Sequence, residues 1–532
     1  MDNRNVFLRK ALEEIPKLLT LLDRNPHSPT FGCFDRNFWH YKIIDFPSGM
    51  AQEFVYPLAL AYDTNSDLNP YYGKSVIRDW VHAGIAYAAT NAHKDGSCDD
   101  YYPFERASGA AAFSLLGFTE SYRLLKLSNP RFITFFKKRA DWLADHFESG
   151  RLSNHQALIT LCLELVGRTI HTDRWATKIH ERLNSVLSWQ NDEGWFQEYE
   201  GFDPGYHTLT VLLLAWIHQF KPEDQRLKHA ITKGIEVALE FSHPDGSFGG
   251  EYGSRNTNNY FSYGFELAGQ WKPEALYLND QFSKAISANI TPCYSDDHII
   301  GHHIWDYFLT YSNYVTPRRY EHIRKSRFFL REGKMLVDRR EDTEIYIALN
   351  KGGVFKVFKK NKLVCADTGF SVIIKTGKKQ KNAVAHLVDN YDIDVDENTI
   401  SIQGKLGWAK QSQMDSCKFI LLRLIMFTIG RFCPNFIRKI LQALLITGKK
   451  RADLSFKRQF TWQSGAWNIE DRLATENWNN IKDVCIGSDQ TSIYVVMSRT
   501  FHIGQLFPSI DLHSKLNGLG PGQELIFKRV IE

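Results

Sequence analysis

Little in this chain is extreme, and its shortages exclude whole classes of function. An excess of one charge is missing: 65 Lys and Arg stand against 60 Asp and Glu, a formal net charge of +5. That is too mild for a nucleic-acid binder, which needs a clustered basic face, although it suits an acidic ligand. Cysteine is scarce, with eight residues at 33, 98, 162, 293, 365, 417, 433 and 485 and no CxxC pair. Neither a disulfide framework nor a Cys-based zinc site is expected. Two apolar stretches, 419–429 and 436–446, fall short of the roughly 20 residues that span a bilayer. The opening residues, Met1-Asp-Asn-Arg-Asn-Val-Phe-Leu-Arg-Lys10, hold no apolar core followed by a small-residue cleavage site. No secretion signal is read there, so the cytoplasmic side is the expected location.

Aromatics, by contrast, are abundant, with 13 Trp, 23 Tyr and 36 Phe. They fit either large cores or clefts in which sugar faces stack on rings. At 532 residues the chain is too long for one core. Its texture changes at about residue 325. Up to about 315, amphipathic runs such as Val6–Leu22, Ala110–Leu125 and Ala230–Phe241 alternate with Gly- and Asp-rich loops. From about 325, segments such as Glu344-Ile-Tyr-Ile-Ala-Leu349 and Val354-Phe-Lys-Val-Phe358 cluster strand formers between turn residues. Helices followed by strands predict two segregated domains, 1–315 and 325–532. Within the first, Asp95-Gly96-Ser97, Ser149-Gly150-Arg151, Glu193-Gly194-Trp195 and Asp245-Gly246-Ser247 recur about every 50 residues, the length of a helical-hairpin repeat. Such hairpins close into an (α/α) toroid with their polar loops at one end. Acidic and aromatic residues follow three of these turns, Asp99-Asp100-Tyr101-Tyr102, Gln197-Glu198-Tyr199 and Glu251-Tyr252, and mark that end as the cleft.

Two short motifs open helices on that side: Leu152-Ser153-Asn154-His155-Gln156-Ala157 and Asp203-Pro204-Gly205-Tyr206-His207. An Asn-His pair followed by a Tyr in the next hairpin resembles the toroid polysaccharide lyases of the heparinase II/III and oligoalginate-lyase kind. The resemblance implies an N-terminal (α/α) toroid joined to a C-terminal antiparallel β-sandwich-like domain, and cleavage of a uronic-acid-containing glycan by β-elimination without a cofactor or metal. It also implies roles. Asn154, with Arg255, quenches the uronate carboxylate as charge develops. His155 takes the C5 proton, and Tyr206 protonates the leaving O4. Read on spacing alone, Asn154 is a helix N-cap with Ser153 competing for the position, and Tyr206 is a core aromatic after a turn. The family's β-domain histidine has only a poor counterpart, His386 in Ala383-Val-Ala-His-Leu-Val-Asp389.

Further candidates for contact with an acidic polysaccharide or oligosaccharide come from the polar run Gly249-Gly-Glu-Tyr-Gly-Ser-Arg-Asn-Thr-Asn-Asn-Tyr260. Glu251, Tyr252, Arg255, Asn256 and Tyr260 are taken from it, Arg255 for its bidentate fit to carboxylates. Glu198, His207, Tyr102, Trp39 and His302 complete the set. Asp296-Asp297-His298 with His302-His303 has metal-ligand residue types, but the i, i+4 histidines lack the Glu of a His-Glu-x-x-His motif, and no metal is expected. Around 415–451 an apolar and basic pair of helical segments, ending in Lys449-Lys450-Arg451, fits no sandwich. It reads about equally as a peripheral membrane contact through 419–451 at the inner face or as an insertion packed on the protein, with a partner surface as a third reading. The competing functions on this architecture are a uronyl C5-epimerase, a glycoside hydrolase using Asp99 or Asp100 opposite Glu198 or Glu251, and a non-catalytic glycan-binding protein of exopolysaccharide assembly.

Overall fold

The computed structural model describes residues 3–147, 151–198, 201–294, 299–320, 322–409, 413–442, 450–491, 498, 500–501 and 503–531. Among the described residues, thirteen helices fill the N-terminal part: α1 (Asn3–Leu21), α2 (Arg36–Trp39), α3 (Val55–Asp63), α4 (Ser75–Asn91), α5 (Ser108–Leu124), α6 (Pro130–Asp145), α7 (Ser153–Thr169), α8 (Ala176–Ser188), α9 (Pro204–His218), α10 (Gln225–Glu240), α11 (Tyr263–Gly269), α12 (Ala275–Ser287) and α13 (Ile300–Ser312). Their sequences sort them into two rings. Helices α9 and α11 are buried along their whole length, and α5, α7 and α13 nearly so. In α6, α8 and α10, by contrast, only one face is buried. An all-buried helix needs neighbours all round, and a one-faced helix needs a single wall. The inner helices α3, α5, α7, α9, α11 and α13 accordingly pack each on the next, and α13 returns to α3 to close the circle. Helices α4, α6, α8, α10, α12 and α1 form the outer wall against them. This is a closed (α/α) toroid.

The repeated turns share one local geometry. Gly96, Gly194 and Gly246 have φ of +87°, +95° and +85°, and a Cβ on Gly96 would sit 2.6 Å from the Arg139 backbone nitrogen of the next outer helix. Glycine is thus required both by dihedral and by space. The Asp95 and Asp245 carboxylates accept from the Ser97 and Ser247 backbone N–H groups at 3.1 and 2.9 Å, closing matching turns. Ser149-Gly150 lies outside the described residues. Because inner and outer helices alternate in direction, every inner helix begins at the same end, and the polar loops form one rim there.

Among the described residues, the C-terminal part holds two antiparallel sheets. The first runs in sequence order through β1 (Arg327–Leu330), β2 (Met335–Arg340), β3 (Thr343–Ala348), β4 (Val354–Lys359) and β5 (Lys362–Asp367). The second contains β6 (Gly369–Thr376), β7 (Lys379–Val384), β8 (Asp392–Val395), β9 (Thr399–Trp408), β10 (Arg451–Gln463), β11 (Ala466–Ala474), β12 (Ile481–Gly487), β13 (Ile510–Asp511) and β14 (Glu524–Ile531). Between β9 and β10 stand α14 (Ser416–Ile425) and α15 (Pro434–Gln442), joined by a π-helical turn. Strands β2, β3 and β4 of the first sheet are buried on both faces, which explains their apolar runs. Leu336, Ile345, Ile347, Phe355 and Val357 point into the core shared with the second sheet. The alternate residues Val337, Tyr346, Ala348, Val354 and Phe358 belong to the toroid's core. Toroid, sheet and sheet are therefore three layers in continuous apolar contact.

The second sheet buries charge as well. Arg458, between Asp367 (2.8 Å) and Asp471 (2.6 Å), also donates to the Gly353 carbonyl at 3.0 Å. Arg529 reaches the same two carboxylates. Replacing Arg458 with Met leaves two buried carboxylates to one arginine and is expected to lower unfolding free energy by about 3–5 kcal/mol. Urea denaturation of the purified variant measures this, and a loss under about 1 kcal/mol would mean the network carries little net stability.

Candidate active site

The rim of the toroid beneath the first sheet gathers most of the chemistry. Asn154, in the first turn of α7, is buried; its side-chain amide donates to Glu198 Oε1 at 2.7 Å and its backbone N–H reaches the same oxygen at 3.2 Å. The other oxygen of Glu198 receives Arg255 Nη1 at 3.2 Å. The Arg255 guanidinium lies 3.8 Å from the centre of the Tyr206 ring, within cation–π range. Glu198 is fully enclosed. Burial pushes its carboxyl up from the ordinary range, opposed by the charge of Arg255, the hydrogen bonds from Asn154 and the field of His155. His155 is half-buried at the start of α7, against α5, where a Cβ on Gly109 would come 3.2 Å from its ring.

A second buried carboxylate builds the scaffold for the first. Asp203 is the N-cap of α9 and accepts from the Tyr206 N–H at 3.0 Å. Its other contacts are the backbone N–H of Arg255 at 2.9 Å and the Thr257 hydroxyl. One side chain thus fixes the start of the helix carrying Tyr206 and the loop carrying Arg255. The Pro204 that follows suits the first helical position, where no N–H donor is needed.

The sheet layer completes the rim. Lys351, in the turn after β3, is buried and donates to the carbonyls of Glu251 (2.7 Å) and Gly253 (2.6 Å) and to the Asn256 side-chain oxygen. Burial lowers its pKa to about 7, against the attraction of Asp203 and Glu251. His386 lies in the same neighbourhood, its pKa brought down to about 3 by burial and then by Lys351. It is a neutral imidazole at physiological pH. Glu251 pairs with Lys356 at 3.0 Å and receives Gln505 Nε2 at 3.0 Å, so the 249–260 loop is clamped between the layers.

The remaining sequence candidates are spread more widely. Tyr252 bonds His243 Nε2 at 2.8 Å and stacks against Tyr346 in the seam between toroid and sheet. Asn256 sits in that seam on Lys351, in a left-handed backbone conformation at φ +57°. Tyr260 donates to Asn279 at 2.6 Å inside the toroid core. His207 points away from Tyr206 to the Gly234 carbonyl at 2.8 Å, and burial lowers its pKa to about 4. His302 lies deep in the ring on Glu53 and stacks on Phe113 at 3.7 Å. Trp39 donates to the Leu21 carbonyl at 2.7 Å. Tyr102 is on the rim beside Arg438 of α15; burial, then Glu105, raises its pKa to about 12. Asp296, Asp297 and His298 lie outside the described residues. Among the described residues no three His, Cys, Asp or Glu side chains gather around a metal-sized site.

No protein-family model and no curated protein matches the sequence. Solved structures do match. The Streptomyces coelicolor A3 chondroitin AC lyase in complex with chondroitin sulphate superposes with a TM-score of 0.54 at 9% identity, over 91% of this chain and 67% of that one. Heparinase III superposes with a TM-score of 0.50 at 12% identity, over 81% of this chain and 63% of that one. This is the toroid polysaccharide lyase fold. The chain spans less than two thirds of the length of heparinase III. At such identities the likeness is one of architecture alone.

Sequence reasoning missed Asp203 as a tie between loops and Lys351 altogether. An Asp-Pro pair ahead of an apolar run is a readable N-cap signal, whereas a lysine in an Asn-Lys-Gly-Gly turn reads as solvent-exposed. The pairing predicts strong coupling. Glu198→Ala should destabilise the protein by about 3–5 kcal/mol by stranding Arg255, and the cycle with Arg255→Met should give a coupling above about 1 kcal/mol. Denaturation midpoints of the four proteins supply the test, and additive effects would show that the two groups do not share a charge.

Proposed function

We propose that this protein is a polysaccharide lyase that cleaves a uronic-acid-containing glycan by β-elimination. The observation that carries the reading is the convergence of an amide and a guanidinium, Asn154 and Arg255, on one carboxylate beside Tyr206 and His155. Removing the weakly acidic C5 proton of a uronate puts negative charge on its carboxylate, so donors must already be aimed there. The Asn154 amide carries a second hydrogen beyond the one given to Glu198, and Arg255 offers a planar fork suited to carboxylates. Glu198 holds both donors in place.

In this reading His155 takes the C5 proton. The C–H electrons form the C4–C5 double bond as the C4–O4 bond breaks, and Tyr206 gives its proton to the departing O4. His386, neutral in the sheet layer, is the second imidazole at this edge of the rim. Glu251, Tyr252, Asn256 and Lys351 act by holding the Arg255 loop. The +5 net charge favours a polyanionic substrate. We place the activity beside exopolysaccharide assembly or export.

Purified protein mixed with a panel of uronate polymers should raise ultraviolet absorbance as unsaturated uronate forms. Tyr206→Phe and His155→Ala should each lower kcat/KM by about 10²–10⁴-fold. Solvent deuterium entering C5 without any absorbance rise would instead identify a uronyl epimerase. Tight polymer binding with neither signal would identify a glycan-binding protein.

A further inference from the structure

The pair α14–α15 is mounted opposite to the usual sense of an amphipathic insertion. Its polar anchors face the protein: Arg423 pairs with Asp45 at 2.9 Å and lies over Phe46 at 5.3 Å, and Arg438 sits 3.7 Å from Glu105 and donates to the Arg106 carbonyl at 3.3 Å. Phe427 meets Phe104 edge-on at 5.4 Å. Ile420, Leu424, Ile429, Phe432 and Phe436 are left between 58% and 73% exposed, and Phe419, 46% exposed, lies under Arg423 at 4.7 Å. Nearly half of the large apolar side chains left exposed among the described residues fall between 414 and 440, and Tyr41, Ile43 and Tyr101 on the neighbouring rim extend the count. Apolar exposure this concentrated marks a contact surface, not scatter.

Charge identifies what it contacts. From Ser416 to Ala452 the sequence contains no Asp or Glu, while Lys418, Arg423, Arg431, Arg438, Lys439, Lys449, Lys450 and Arg451 are all basic. Lys418, Arg431 and Lys439 are exposed beside the apolar side chains. Two copies meeting through this face would bring like charges together across their shared axis. A bilayer with anionic headgroups accepts both features, the apolar side chains at the acyl boundary and the cations among the phosphates. Among the described residues no helix is long and apolar enough to cross a membrane, so the arm lies on the surface. We propose that α14–α15 is a membrane-docking arm that seats the toroid on an anionic lipid surface with its 99–106 rim toward the bilayer. The proposal is independent of the lyase reading.

Flotation of the full-length protein with phosphatidylcholine vesicles, with or without phosphatidylglycerol, tests it. The native protein should float with the anionic vesicles, less so at raised salt. An Ile420→Glu, Leu424→Glu, Phe436→Glu variant with an unchanged thermal melt should lose at least about tenfold of the bound fraction. Should that variant fold poorly, Lys418→Glu with Arg431→Glu and Lys439→Glu, all solvent-facing, should give the same loss. Folded native protein that stays unbound on anionic vesicles overturns the proposal. So does a dimer that the first variant converts to monomer without any vesicle binding, since the face would then belong to a protein.

Discussion

A carboxylate with no solvent around it must be matched by donors, and the rim of this toroid is organised by that requirement at Glu198. Three chain segments far apart in sequence, around residues 154, 198 and 255, are held together because each supplies part of one charge-assisted network. Removing any member leaves an unmatched group in a low-dielectric site, which is far more unfavourable than the loss of a surface pair. Asp203 repeats the principle one layer below, tying the start of α9 to the backbone of Arg255 and to Thr257. Asn154, His155 and Tyr206 are thus set on helix starts, and Arg255 on a loop tied down by Asp203. Preorganisation of this kind is what electrostatic catalysis needs.

The sheet layer makes the rim a site, because without it the 249–260 loop would have no wall. The first sheet gives one face to the toroid core and the other to the second sheet, so the two halves cannot slide without exposing apolar area. Across that seam Lys351 and Lys356 enter the loop from above and take up its carbonyl and carboxylate oxygens. The arm α14–α15 leaves the second sheet and returns to the rim through Arg423 and Arg438. The sheets therefore bear on the cleft from more than one direction.

Much of this was legible in the amino-acid pattern. The Asp-Gly turns repeat because each needs a positive φ against the next helix, a constraint that leaves glycine as its trace. The shift from helical to strand periodicity near residue 325 is equally plain, and the apolar run 345–349 reflects a strand buried on both faces. Orientation was less legible. His207 adjoins Tyr206 but turns into the core, and Tyr252 and Tyr260 are taken up by the seam and the ring interior. A helix or loop sequence does not say which of two buried directions a polar aromatic takes. Buried Lys351 could not be read, because its partners are backbone carbonyls set by the fold. The arm's composition was visible, but not that Arg423 and Arg438 turn inward onto the rim.

The central claim is that Asn154 and Arg255 are aimed at a uronate carboxylate. The most direct measurement is the crystal structure of Tyr206→Phe, slowed in elimination, with a bound uronate oligosaccharide. The account predicts a substrate carboxylate within hydrogen-bond distance of Asn154 Nδ2 or the Arg255 guanidinium, with C5 facing His155. An ordered oligosaccharide whose carboxylates all lie away from these two residues would contradict it.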